Sequence, residues 1–108
     1  MKPIHVAFVY DKKLRLLAIG HNSYTKTHPK QASLAEEAGE PKRIFLHAEI
    51  DAIIKALKTK QKPKYIQVFR NRVYKSIVND CSMLSKIELC KPCKICLLAI
   101  EKAGMEML

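Results

Sequence analysis

The stretch His47-Ala48-Glu49-Ile50-Asp51-Ala52-Ile53-Ile54-Lys55-Ala56-Leu57 sets the architecture, because Ile50, Ile53, Ile54 and Leu57 recur at i, i+3, i+4 and i+7. That spacing predicts a buried amphipathic helix of about a dozen residues with His47 in its first turn. A second segment, Pro92-Cys93-Lys94-Ile95-Cys96, has the same character: Cys93, Cys96, Leu97 and Ile100 keep helical spacing, Pro92 suits a helix start and Gly104 its end. Each segment therefore opens a helix with side chains that bind metals.

Working outward, His5 to Tyr10 and Leu14 to Gly20 are apolar and rich in strand formers, with Asp11-Lys12-Lys13 between them as a turn. They predict a hairpin. A loop from His21 to Lys30 follows, and Gln31 to Ala38 reads as a short helix stopped by Gly39. Tyr65 to Phe69 reads as a strand, either paired with Val73 to Val78 or extended by a loop through Asn79 to Ser85, and Met105 to Leu108 as the stub of a last strand. The 108 residues suffice for one domain around one core, and 48% hydrophobic content suits a globular chain without repeats.

Neither a signal-peptide pattern nor an apolar run of membrane-spanning length occurs, which predicts a soluble, cytoplasmic protein. Cys90, Cys93 and Cys96 sit three residues apart, a spacing that reads as metal binding rather than as a disulfide framework; Cys81 reads as a free, partly buried thiol. The formal net charge is +10, and between Asp51 and Asp80 there is no acidic residue, while lysines and arginines recur from Lys55 to Lys75. That block fits a surface tracking phosphates on single-stranded nucleic acid, a nucleotide site, or a solvated face.

If the two helices lie side by side, His47, Cys93 and Cys96 converge as three ligands for one zinc ion, leaving the fourth tetrahedral position open to water, as in catalytic zinc sites. Thiolates at a helix start gain from its partial positive charge. Glu49, two residues beyond His47, is placed to shuttle protons as a general acid and base; its other reading is a first-turn carboxylate favoured by the helix dipole. Cys90 would convert the open site into a closed, structural one if it joined the ligands, but it precedes Pro92 and falls outside the helical register of Cys93. His5 reads as a core or edge residue of the first strand, and Phe45, Tyr24 and Phe69 as aromatic candidates to stack on a base.

His-x-Glu followed by Pro-Cys-x-x-Cys resembles the signature of the zinc-dependent cytidine, deoxycytidylate and tRNA-adenosine deaminases, and the chain is similar to small deaminase-like proteins of bacteriophages. The likeness extends to Gly20-His21-Asn22 and to Lys26-Thr27-His28-Pro29. It implies a single three-layer α/β domain with a mixed sheet flanked by helices, short at its C-terminal end. It also implies His47, Cys93 and Cys96 as zinc ligands, Glu49 as the catalytic acid/base, and Asn22 and the Ala48 backbone as substrate contacts. The interval from His47 to Cys93 exceeds the family's, implying an insertion between Arg70 and Glu88. The implied activity is hydrolytic deamination of a cytosine base, first of a (deoxy)cytidine nucleotide. The alternatives are a cytosine or adenine deaminase acting on single-stranded DNA or RNA, and a catalytically silent zinc-stabilised module that binds nucleic acid. A sheet with a truncated edge also has reason to self-associate as a homo-oligomer.

Overall fold

A computed structural model describes residues 4–75, 83–89 and 92–108. The hairpin forms as its sequence predicts: β1 (Ile4–Tyr10) pairs antiparallel with β2 (Leu16–His21), with a register shift at Val9/Tyr10. Its turn is held by Asp11, whose carboxylate accepts from the backbone N–H groups of Lys13 and Arg15 at 2.9 Å each and pairs with the Arg15 guanidinium at 2.7 Å. Leu14 takes φ +63° there, the left-handed conformation that closes the turn.

Helix α1 (Pro29–Glu37) starts on Pro29 and ends two residues before Gly39, with Ala38 as its C-cap. Gly39, at φ +80°, donates to Glu36 O, and Glu40 donates to Ala35 O, the paired bonds of a glycine stop. Helix α2 (Ala48–Lys58) carries Glu49 and Asp51 in its first turn and Lys55 and Lys58 in its last, matching its dipole at both ends. Helix α3 (Lys94–Lys102) closes like α1, with Gly104 at φ +69° donating to Glu101 O and Met105 donating to Ile100 O. His47 and Cys93 are the N-cap residues of α2 and α3, so His47 stands just before the first turn of its helix rather than within it.

The segment after α2 differs from expectation. Strand β3 runs without a break over Tyr65–Lys75, and Val73 belongs to it instead of starting a partner strand. The partner is β4 (Met83–Leu89), antiparallel in a register from Phe69↔Leu89 to Lys75↔Met83. No glycine or proline interrupts 64–75, so nothing local turns the chain at Asn71. Within the span expected to hold extra length, between Arg70 and Glu88, the described residues continue the sheet as two paired strands. Cys81 and Cys90, with the roles considered for them, lie outside the described residues.

The sheet order is β2-β1-β3-β4, and a short β5 (Glu106–Met107) adds to β3 in parallel, so the sheet is mixed. Ala7 and Val9 of β1 and Ile66 and Val68 of β3 alternate onto one face and form a core with Ile50, Ile53 and Ala56 of α2 and Ile95, Ala99 and Ile100 of α3. Ile50, Ile53, Ile66 and Ile95 are almost wholly buried, each contributing on the order of 1.5–3 kcal/mol. On the other face Phe8 and Phe69 meet edge to face with ring centroids 5.6 Å apart.

Two contacts fix α2 against β2. A Cβ on Gly20 would lie 2.3 Å from both Ala48 O and Ala52 N, so only glycine lets the strand approach the helix this closely. One turn along, Asp51 accepts from the His21 backbone N–H at 2.9 Å and pairs with Lys55 at 3.0 Å. The start of α2 is thereby clamped where its histidine is needed. Among the described residues no helix is long and apolar enough to cross a membrane.

Candidate metal centre

The starts of α2 and α3 meet. His47 Nδ1 lies 3.2 Å from Cys96 Sγ and 3.3 Å from Cys93 Sγ, and the three donor atoms all lie within 4.8 Å of one another. Tetrahedral zinc, with Zn–S of about 2.3 Å and Zn–N of about 2.0 Å, holds its nitrogen and sulfur donors about 3.5 Å apart, a few tenths of an ångström from this spacing. One borderline nitrogen and two soft sulfurs form a set that zinc accepts. The residues present therefore fit a zinc ion, His47 binding through Nδ1.

The protonation of the cluster follows from its crowding. Cys93 is held down to about 3, chiefly by a hydrogen bond from the Cys96 thiol and further by His47, against the opposing effect of burial. Cys96 is pushed upward by the same hydrogen bond and by its burial. His47 is raised by its hydrogen bond to Cys93. Without metal the cluster thus already stores one thiolate at neutral pH, half of what zinc requires of its two sulfurs.

Glu49 is buried, 6% exposed, one residue into α2 from the cluster. Desolvation raises its pKa, and the hydrogen bond from Cys96 partly opposes the rise. A carboxyl so placed exchanges protons closer to neutrality than an exposed one.

The cluster lies at a cavity of about 500 Å³, lined among others by His47, Glu49, Ala48, Cys93, Asn22 and Phe45. That volume suits a small-molecule site. Asn22 also lines the cavity, with its Oδ1 accepting from the His5 backbone N–H at 2.8 Å. Tyr24 and Phe45 also line it, whereas Phe69 packs against Phe8 on the opposite sheet face and is removed as a stacking candidate.

Four contributors escaped the reading of the sequence. His5 lines the cavity instead of serving as a core or edge residue, and its pKa is lowered by burial and then by the nearby Arg70 charge. Its position was legible only once β1 was known to alternate, with Ala7 and Val9 facing the helices. Arg70 lies opposite it in the β1–β3 register. Gln31 is fully buried in α1: its Oε1 accepts from His47 N–H at 3.2 Å, and its Nε2 donates to Arg43 O at 3.0 Å. One amide thus fixes both the backbone of the candidate ligand His47 and the loop before it. A glutamine on the apolar stripe of a short helix was the available signal. Gly20, the fourth, admits the close approach of α2.

No protein-family model matches the chain, and neither does any curated protein.

Proposed function

We propose that the chain is a zinc-dependent hydrolytic deaminase acting on a cytosine base, carried by a (deoxy)cytidine nucleotide, with release of ammonia. The observation that carries this reading is the conjunction, among the described residues, of three protein donors with a buried carboxyl beside them at the wall of one cavity. A closed structural site has no use for a general acid/base, whereas hydrolysis of an amidine needs one.

Zinc bound by His47, Cys93 and Cys96 supplies Lewis acidity, lowering the pKa of a water toward neutrality. Glu49 takes a proton from the attacking water, passes it to the ring nitrogen beside the amino-bearing carbon, and returns a proton to the departing amine. The C–N bond breaks, a C=O replaces it, and water is consumed for each ammonia released. Asn22, Tyr24 and Phe45 border the space for the base and sugar. Gln31 holds the backbone of His47 so that its ring keeps its aim.

The test is an ammonia-release screen of the zinc-loaded chain against nucleosides, nucleotides and single-stranded oligonucleotides. Turnover of a cytosine nucleotide is expected, and Glu49→Gln is expected to keep zinc while losing roughly two or more orders of magnitude in rate. Near-parental turnover by Glu49→Gln would remove that residue from the chemistry. Oligonucleotide binding without ammonia from any substrate would leave a zinc-stabilised binding module.

A further inference from the structure

The cavity at the metal cluster has a charge imbalance that deamination of a base does not explain. Lys42, Arg43 and Arg70 all line it, and among its described lining residues Glu49 is the one carboxylic acid. Among the described residues Lys42 and Arg70 make no ion pair, and Arg43 meets Glu40 only at 3.9 Å. Arg70 is half-buried on β3, and among the described residues its Nε is shut off from solvent with no hydrogen-bond partner. A half-buried guanidinium is a strong partner for an anion.

The placement is built into the fold. Arg70 and His5 sit opposite each other in the β1–β3 register, on the sheet face that carries Ile66 and Val68. Lys42 and Arg43 come from the loop between α1 and α2, and the Arg43 carbonyl is held there by Gln31. Cations thus reach one cavity from two walls. A cytosine ring is neutral at pH 7 and offers them hydrogen-bond acceptors but no negative charge, so a matching anion belongs to another part of the ligand.

We propose that Arg70, with Arg43 and Lys42, forms a phosphate-binding subsite that selects a phosphate monoester of the nucleoside over the free nucleoside. The proposal rests on reading the cavity as a nucleobase site. Arg70 acts in specificity: it binds the phosphate and so draws the base toward His47 and Glu49. Its guanidinium offers the forked donors that suit phosphate oxygens, and the half-buried setting strengthens them. The cavity, about 500 Å³, takes one nucleotide rather than a run of them.

The experiment measures binding to the zinc-loaded full chain by calorimetry, with deoxycytidine, deoxycytidine monophosphate, inorganic phosphate and a short single-stranded oligonucleotide as probes. The monophosphate is expected to bind at least about tenfold tighter than the nucleoside, the scale of one or two charge-assisted hydrogen bonds. Inorganic phosphate is expected to compete with the monophosphate and not with the nucleoside, a readout that needs no variant. Arg70→Gln is expected to close most of the gap with zinc content unchanged. Arg70→Lys retains part of it, and Lys42→Gln with Arg43→Gln narrows it from the other wall. Equal binding of nucleoside and monophosphate, absence of phosphate competition, or a gap untouched by both the Arg70 and the paired replacements would overturn the proposal. An oligonucleotide bound more tightly than the monophosphate, with a steep salt dependence, would overturn the monoester in favour of a polynucleotide backbone. Failure of the deaminase reading shows separately: the binding gap would persist with no ammonia released, whereas ammonia without a gap would leave the deaminase standing and remove this subsite.

Discussion

Two histidines occupy the same position on two helices and do different work. His28, the N-cap of α1, turns its Nδ1 onto the Lys30 backbone N–H at 3.0 Å and caps its own helix. His47, the N-cap of α2, makes no capping bond and directs Nδ1 at two sulfurs instead. Cys93, starting α3, likewise caps nothing with its side chain. At the site, side chains are withdrawn from supporting their helices and turned toward the donor cluster, and the support is supplied from outside. Gln31 accepts the His47 N–H, much as the glutamate of a capping box would, and Gly20 and Asp51 hold the first turns of α2 against β2.

The sharpest way to break this comparison is to make His47 behave like a capping residue. His47→Ser installs a preferred N-cap and deletes a ligand, so zinc content should fall from one per chain toward none. The metal-free variant should keep or gain up to about 1 kcal/mol in helix stability. Cys96→Ser should lose zinc without that compensation, and its melting temperature should no longer respond to a chelator. Cys90→Ser should retain zinc if three ligands hold it. Metal analysis and thermal melts of the three variants decide between an open and a closed site.

Removing the external support is expected to cost less. Gln31→Met keeps the volume but leaves His47 N–H and Arg43 O unpaired, which should destabilise the fold by about 1–3 kcal/mol. Zinc should also bind more weakly, read by competition with a chromophoric chelator. A variant with parental zinc affinity would show that His47 is aimed by the metal alone.

The metal-free cluster offers a pH test. Cys93, with a pKa lowered from 9.0 to about 3, contributes stability that is complete above its ordinary value and is lost as pH falls toward about 3. His47 and Cys96 are raised, so their contributions are present below 6.5 and 9.0 respectively and are lost as pH rises through their folded values. Alkylation at pH 6 reports the first of these alone: Cys93 should be modified and Cys96 spared. Equal labelling of both would contradict the asymmetric proton sharing.

The smallest effect belongs to the other histidine. His28→Ala removes one partly exposed cap and should cost about 1 kcal/mol or less, with zinc content and zinc affinity unchanged. A change in zinc binding would show that α1 transmits strain to the site through Gln31.

Much of this molecule could be read along the chain, because the signals involved are local. Asp11-Lys12-Lys13 turns the hairpin through hydrogen bonds spanning four residues, Gly39 and Gly104 end helices by a backbone conformation other residues resist, and the 3.6-residue period of Ile50, Ile53 and Ile54 marks a face. The donor set His47, Cys93 and Cys96, with Glu49 beside it, was legible for the same reason: spacing within a helix places side chains without knowledge of what lies opposite. The length of β3 was not. Val73 reads equally well as the start of a new strand or the continuation of an old one, and only pairing with Met83–Leu89 settles it.

The sequence by itself determined where most helices and turns begin and end and which side chains could hold a metal, since both depend on short stretches of backbone and on donor type. Tertiary structure alone decided that the two helix starts meet, that Gly20 is the gap through which α2 reaches β2, that Gln31 fixes His47, and that His5 and Arg70 face the cavity while Phe69 faces away. These outcomes depend on which surfaces come together over long separations, sixteen residues in the Gln31–His47 contact and forty-nine in the His47–Cys96 contact. A local period shows that a face exists; the packing of the whole chain chooses its partner.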